Sequence, residues 1–186
     1  MTSKIGTASF DVIIIGGSQA GLAVGYHLAQ RGLRYVILDA GSETGHAWRS
    51  RWDSLTLFTP AQHSGLPGMA FPRQKDTYPS KDDVASYLEG YVSAFDLPLR
   101  LNAKVTSLTL REGAYVVATT DEEFTASQVV VATGPFQVPF VPPVTDEMDE
   151  AVVQIHSADY RNPAQLPTDG RMLVGGGRQL RLPDRR

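Results

Sequence analysis

Cysteine is absent from the 186 residues. No disulfide scaffold, thiolate metal site or dithiol redox centre can be assembled from them. Long apolar runs are missing as well. The longest near the N-terminus, Val12 to Ile15, falls far short of the roughly 20 residues needed to cross a bilayer. Nor does a basic segment lead into a short apolar stretch there, so no signal peptide is expected. Neither sign of charge dominates: 17 Lys and Arg stand against 20 Asp and Glu, a formal net charge of -3. Such a balance argues against nucleic acid or a membrane surface as partner. No His and carboxylate cluster has metal-ligand spacing. A cytoplasmic location is the expectation.

What is present suffices for a packed core. Hydrophobic residues make up 42% and glycines number 17, in a chain sized for one domain or slightly more. Phe10 to Ile15 is β-branched and almost continuously apolar, as a parallel strand covered on both faces should be. Gly16-Gly17-Ser18-Gln19-Ala20-Gly21 follows at once. Ala20 to Arg31 then reads as a helix with Ala23, Val24, His27 and Leu28 on one face and Gly32 as its stop. Tyr35 to Leu38 is a second strand, with Asp39 at its carboxyl end. Together these form a βαβ unit.

Gly41 to Pro79 shows no periodicity, which in so long a stretch points to function. A second helix begins after Ser80, a predicted N-cap with Asp83 at the capping-box position. Val84, Tyr87, Leu88, Tyr91, Val92 and Phe95 form its apolar stripe. From Leu99 the period changes to two. Val105 to Leu110, Tyr115 to Thr119 and Glu123 to Ala126 predict an antiparallel meander with turns at Glu112-Gly113 and Thr120-Asp121. Val129 to Ala132 reads as another buried strand, ending in Thr133-Gly134. Pro135, Pro139, Pro142 and Pro143 enforce an extended exit. Met172 to Val174 predicts a further strand before Gly175-Gly176-Gly177.

The segment Gly16 to Gly21 approximates the dinucleotide fingerprint, with Ser18 in place of the second glycine. It follows a buried-type strand, opens a helix and is followed by an acid eighteen residues after Gly21. Gly16 permits the tight turn, Ser18 lets backbone approach a diphosphate, and Gly21 lets helix and strand pack closely. Asp39 would accept from an adenosine ribose and repel a 2′-phosphate, so this first site should not hold NADP(H). A glycine turn without a ligand is the alternative.

The order of several further pieces is more specific. Gly16 to Gly21, Gly45 with Trp48-Arg49, and Arg51-Trp52-Asp53-Ser54-Leu55 come first. Tyr78-Pro79-Ser80-Lys81, Val131-Ala132-Thr133-Gly134 with Pro139 and Pro142, and His156-Ser157 with Tyr160 complete the series. The chain resembles the N-terminal part of the flavin-containing monooxygenase-like family over roughly residues 10 to 177. The resemblance implies an α/β fold, a three-layer FAD/NAD(P)-binding Rossmann-like parallel sheet with an antiparallel β-meander, incomplete at the C-terminus. It implies FAD held by Gly16, Ser18, Gln19, Ala20, Gly21 and Asp39, with Trp48 and Arg49 near the flavin. Val105 would offer backbone contacts to adenine, while Ala132, Thr133 and Gly134 would pass close to the cofactor. The implied reaction is NADPH reduction of FAD, then transfer of one oxygen of O2 to a small organic substrate. A homo-oligomer and a complementing chain are both open as partners.

Blander readings stand beside these. Trp48 and Trp52 are open to being packing residues, and Arg49 and Arg51 to being ion-pair partners. His27 reads as structural on a helix face packed against the sheet. His46 and His63 have no paired nucleophile, and no catalytic residue is nominated. His156 and Tyr160 fit the family's F-x-G-x-x-x-H-x-x-x-Y/F motif, but Glu150 and Val152 hold its Phe and Gly positions. The oxygenation subclass therefore stays open, and His156 is equally readable as a loop hydrogen-bonder.

The family continues into a second glycine fingerprint for NADPH. Here Gly175-Gly176-Gly177 is followed by Arg178 to Arg186, with Pro183 where a helix would run. The division expected is an FAD-binding domain over 1–170 and an aborted NADPH-binding start over 171–186. A one-base shift in an allowed coding of the tail gives Gly-Asn-Ser-Gly-Ser-Arg-Ile-Ala, the family's continuation, so the tail is expected to be frameshifted sequence. Sequencing the gene past Gly177 checks this.

Overall fold

In the computed structural model, which describes residues 8–134, 138–169 and 171–175, strand β1 (Ala8–Ile15) leads through the glycine turn into helix α1 (Gln19–Ala29) and strand β2 (Tyr35–Leu38). β1 and β2 pair in parallel, with Val12 opposite Tyr35 and Ile15 opposite Leu38. Alternation then divides their side chains between two layers. Val12, Ile14, Tyr35 and Ile37 pack with Leu22, Val84, Leu88 and Tyr91 on one side. Ile13, Ile15, Val36 and Leu38 pack with Val117, Phe124 and Ala126 on the other. That double coverage is why the strand is apolar without alternation. Each fully buried Ile or Leu there contributes about 1.5–3 kcal/mol.

After a short helix α2 (His46–Arg49) and a 3₁₀ turn at Ala61–His63, helix α3 (Lys81–Ala94) joins the helical layer. Its expected start is borne out. Ser80 Oγ accepts from the Asp83 N–H at 3.2 Å, and Asp83 Oδ2 accepts from the Ser80 N–H at 3.0 Å. Partial burial pushes the Asp83 carboxyl up, but hydrogen bonds from Arg73 and Ser80 and the Arg73 charge outweigh it and hold it below the usual value. Its contribution is therefore present above the ordinary carboxylate pKa and lost as pH falls through the lowered value. Ser80→Ala should cost about 1 kcal/mol in urea unfolding at neutral pH. The Ser80 side chain also helps hold the Asp83 carboxyl low, so that part of the difference should vanish at acid pH, while the part from the Ser80 Oγ bond to the Asp83 N–H stays.

The stripe on α3 is also as expected: Val84, Tyr87, Leu88 and Tyr91 are buried, with Val92 and Phe95 packed beside them. Strand β3 (Leu99–Arg100) then pairs in parallel with β2. Two residues are too few to show a period, so only the change after Leu99 was legible. β4 (Val105–Arg111) and β5 (Ala114–Thr119) form the predicted hairpin. Its Glu112-Gly113 turn has φ of 51° and 84°, as a two-residue type I′ loop requires.

Three expectations are corrected. Glu123 to Ala126 and Val129 to Ala132 are not separate strands, because β6 (Glu123–Val131) runs through both. It pairs antiparallel with β5 and parallel with β1, closing one mixed sheet of order β3-β2-β1-β6-β5-β4. Second, α1 turns Gly21, Leu22 and Gly25 inward and leaves His27 exposed. The inward glycines let helix and sheet approach closely, and glycine adds nothing to an apolar stripe. Third, Met172 to Val174 forms no strand and is exposed. A strand needs a partner for its backbone groups, and no described strand pairs with it. Pro135, Gly176, Gly177 and Arg178 to Arg186 lie outside the described residues.

Candidate nucleotide-binding site

The parallel register ends β1, β2 and β6 side by side, with Ile15 opposite both Leu38 and Val131. The chain leaves all three strands at the same sheet edge, where open α/β sheets bind ligands. The Gly16 N–H donates to Leu38 O at 2.8 Å and the Ala132 N–H to Ile15 O at 2.7 Å. Gly16 has φ +108°, and a Cβ there would stand 2.5 Å from Ala132 O and 3.1 Å from Thr133 N. A Cβ on Gly21 would stand 1.9 Å from Gly16 O. Two backbone segments far apart in sequence, the glycine turn and Ala132-Thr133, thus lie against each other with no room for a side chain.

Ser18 is the N-cap of α1, in extended conformation, and its hydroxyl does not cap the helix. The first-turn N–H groups of Gln19, Ala20 and Gly21 are left uncapped by that side chain, and such groups suit a diphosphate. The turn's crowding and these donors fit a dinucleotide. Asp39 bonds within the protein: Oδ2 accepts from the Gly17 N–H at 2.6 Å and Oδ1 from the Gly41 N–H at 2.8 Å. Val105, first residue of β4, packs on the cluster that contains Ile15 and Leu38. The chain leading to it is tied to the same edge, where Asn102 N–H donates to Gly41 O and Ala103 N–H to Asp39 O, both at 2.8 Å. Gly134 has φ 75°.

Trp48 and Arg49 lie on α2, which packs on α3. Trp48 is half-buried against the helical layer's core. The Arg49 guanidinium meets Glu89 on α3 through Nη2 and stands 3.3 Å from Glu43 through Nε. The Glu89 hydrogen bond, opposed by desolvation and helped by the charges of Glu89, Glu43 and Asp82, pushes its pKa further up. The charge partners of Arg49 are thus on α3 and in the loop after β2.

Three contributors had no role assigned from the sequence, although Lys81 and Asp53 stand in the motifs quoted above. Lys81 is 8% exposed; its Nζ donates to Asp82 Oδ1 at 2.9 Å and Arg49 O at 3.4 Å. Asp53 accepts from Asn162 Nδ2 at 2.7 Å and donates its N–H to Arg161 O at 2.8 Å, docking the Tyr160 segment onto the Trp52 loop. Neither contact leaves a spacing signal. His156 Nδ1 accepts from the Ala158 N–H at 3.0 Å, so that imidazole does bond within its loop. The third is the Leu97–Leu99 approach to the turn, where Leu99 Cδ1 would meet a Cβ on Gly17 at 2.6 Å. Among the described residues no helix is long and apolar enough to cross a membrane.

A βαβ unit with a crowded glycine turn, covered by helices on one face and continued at one edge of its sheet by an antiparallel ribbon, defines a Rossmann-like nucleotide-binding fold. Residues 13–178 match the profile of pyridine nucleotide-disulphide oxidoreductases, and the chain belongs to that family. With no cysteine in the 186 residues, the disulphide chemistry in the family's name is not carried by them.

An uncharacterised CzcO-like oxidoreductase of Geobacillus kaustophilus is 45% identical over 90% of this chain and 48% of its own length. An indole-3-pyruvate monooxygenase of Oryza sativa, YUCCA1, is 32% identical over 89% and 42%. The solved flavin-containing monooxygenase of Stenotrophomonas maltophilia is 36% identical, with a TM-score of 0.79 over 86% of this chain and 48% of that one. The resemblance to flavin monooxygenases is therefore borne out. The chain spans about half the length of the curated relatives it matches.

Proposed function

We propose that these residues are the FAD-binding part of a monooxygenase-like flavoprotein, in which NADPH is the reductant and a small organic molecule accepts one oxygen of O2. The observation that carries this reading is the glycine turn pressed against Ala132-Thr133, with the α1 N–H groups uncapped at the same edge. Flavin relatives at 36% identity support FAD over NAD at this first site. When bound, FAD would supply hydride acceptance and oxygen activation. The chain's own part is to bind and orient. N–H groups at Gln19 to Gly21 would hold the diphosphate, and Asp39 the ribose hydroxyls. Val105 backbone would face the adenine, while Trp48, Arg49 and Thr133-Gly134 would border the ring system. NADPH would use the region that begins at Gly175.

A second reading, an FAD module completed by a separate chain, is favoured by apolar side chains left in the open. Val131 is 62% exposed, Phe140 78% and Leu173 88%, side chains that further protein could cover. FAD titration of the full chain tests the common core of both. Weak, saturable quenching of flavin fluorescence is expected, without NADPH-driven oxygen uptake by the chain alone. Saturable NAD binding with no competition by FAD would overturn the proposal in favour of a dehydrogenase.

A further inference from the structure

We infer that Asp39 is a positioning residue that shapes the glycine turn before any nucleotide arrives. Through four hydrogen bonds its backbone and side chain tie the glycine turn and the Arg100–Ala103 stretch to the loop that follows β2. The Asp39 N–H donates to Arg100 O at 2.9 Å and its carbonyl accepts from Ala103 N–H at 2.8 Å. Its two carboxylate oxygens take the N–H groups of Gly17 and Gly41. Gly17 is buried, with Asp39 Cβ 3.0 Å and Asp39 Oδ2 3.2 Å from where its own Cβ would be. A buried N–H in that position needs an acceptor, and the carboxylate supplies it across 22 residues of sequence.

Two consequences follow from the donor and acceptor count. The Gly17 N–H is committed to the carboxylate, so a diphosphate must be held by donors from Ser18 onward. Each Asp39 oxygen has two lone pairs and spends one on the clamp, so ribose hydroxyls would add to the clamp rather than replace it. That the turn serves a nucleotide rests on the function proposed above; the clamp itself does not.

Amide NMR of the ¹⁵N-labelled full chain, without nucleotide, reads the clamp directly. In the parent protein the Gly17 proton should lie downfield and exchange slowly. Asp39→Asn keeps the shape but replaces one acceptor by a donor. At least one of the Gly17 and Gly41 protons should then move upfield and exchange at least tenfold faster, while Ile13 and Ile37 are unchanged. Asp39→Ala should release both; if that variant does not fold, Asp39→Asn decides. Unaltered Gly17 and Gly41 signals in Asp39→Asn overturn the inference. Failure of FAD to bind a chain whose Gly17 signal behaves as described counts against the proposed function and leaves the clamp standing.

Discussion

Gly21→Ala is expected to destabilise the protein by about 3 kcal/mol and to abolish flavin binding. In an open helix the same change is stabilising by up to about 1 kcal/mol, because alanine is the better helix former. The sign is reversed here by one contact. The new methyl would lie 1.9 Å from Gly16 O and 3.3 Å from Ile14 Cγ2, and a backbone carbonyl cannot swing aside as a side-chain tip can. Either α1 lifts off the sheet or the turn opens, and overpacking of this kind ordinarily costs about 1–3 kcal/mol. Lifting α1 would also carry its uncapped N–H groups away from Ala132-Thr133. Gly90→Ala on the exposed face of α3 is the matched control, since nothing lies within 4 Å of its added Cβ. Urea unfolding should show the two substitutions moving the midpoint in opposite directions. Equal, stabilising shifts would show that α1 does not rest on the glycine turn.

Phe124→Ala should cost about 3–5 kcal/mol, the range for emptying a buried aromatic site. Phe124 is 2% exposed and sits in β6 opposite both Val117 and Ala8. Its ring lies 6.4 Å from that of Phe10, and Arg100 stacks over it at 5.2 Å. It is the largest side chain between the parallel strands and the β4–β5 hairpin. Leu110→Ala on the hairpin's outer face, 64% exposed, should fall within about 0.5 kcal/mol of the parent. A Phe124→Ala cost under about 1 kcal/mol would mean that Phe124 does not tie the hairpin to the parallel strands.

Much of this architecture could be read along the chain because its causes are local. β1 and β2 are apolar throughout, since both faces are covered. The start of α3 follows from a Ser80 and Asp83 pair three residues apart, and the hairpin turn from Glu112-Gly113. Other elements were hidden because their causes are not local. α1 hides its true inner face, for Gly21 and Gly25 contribute closeness rather than apolar area. β6 read as two strands because its first half needs β5 and its whole length needs β1, and only their sum makes it one. Lys81 gave no hint of burial, which depends on the loop that brings Arg49 O over it.

The residues Gly16 to Gly21, the apolar strands around them and the acid that ends β2 are written in the sequence, because steric room and burial are demands each position makes on its own side chain. What Asp39 grips, and that Gly16 lies beneath Ala132, were decided by the tertiary structure alone. Hydrogen bonds across 22 residues and contacts across more than a hundred exist only once the parallel register has set β1 beside both β2 and β6, and no spacing in the chain encodes that register.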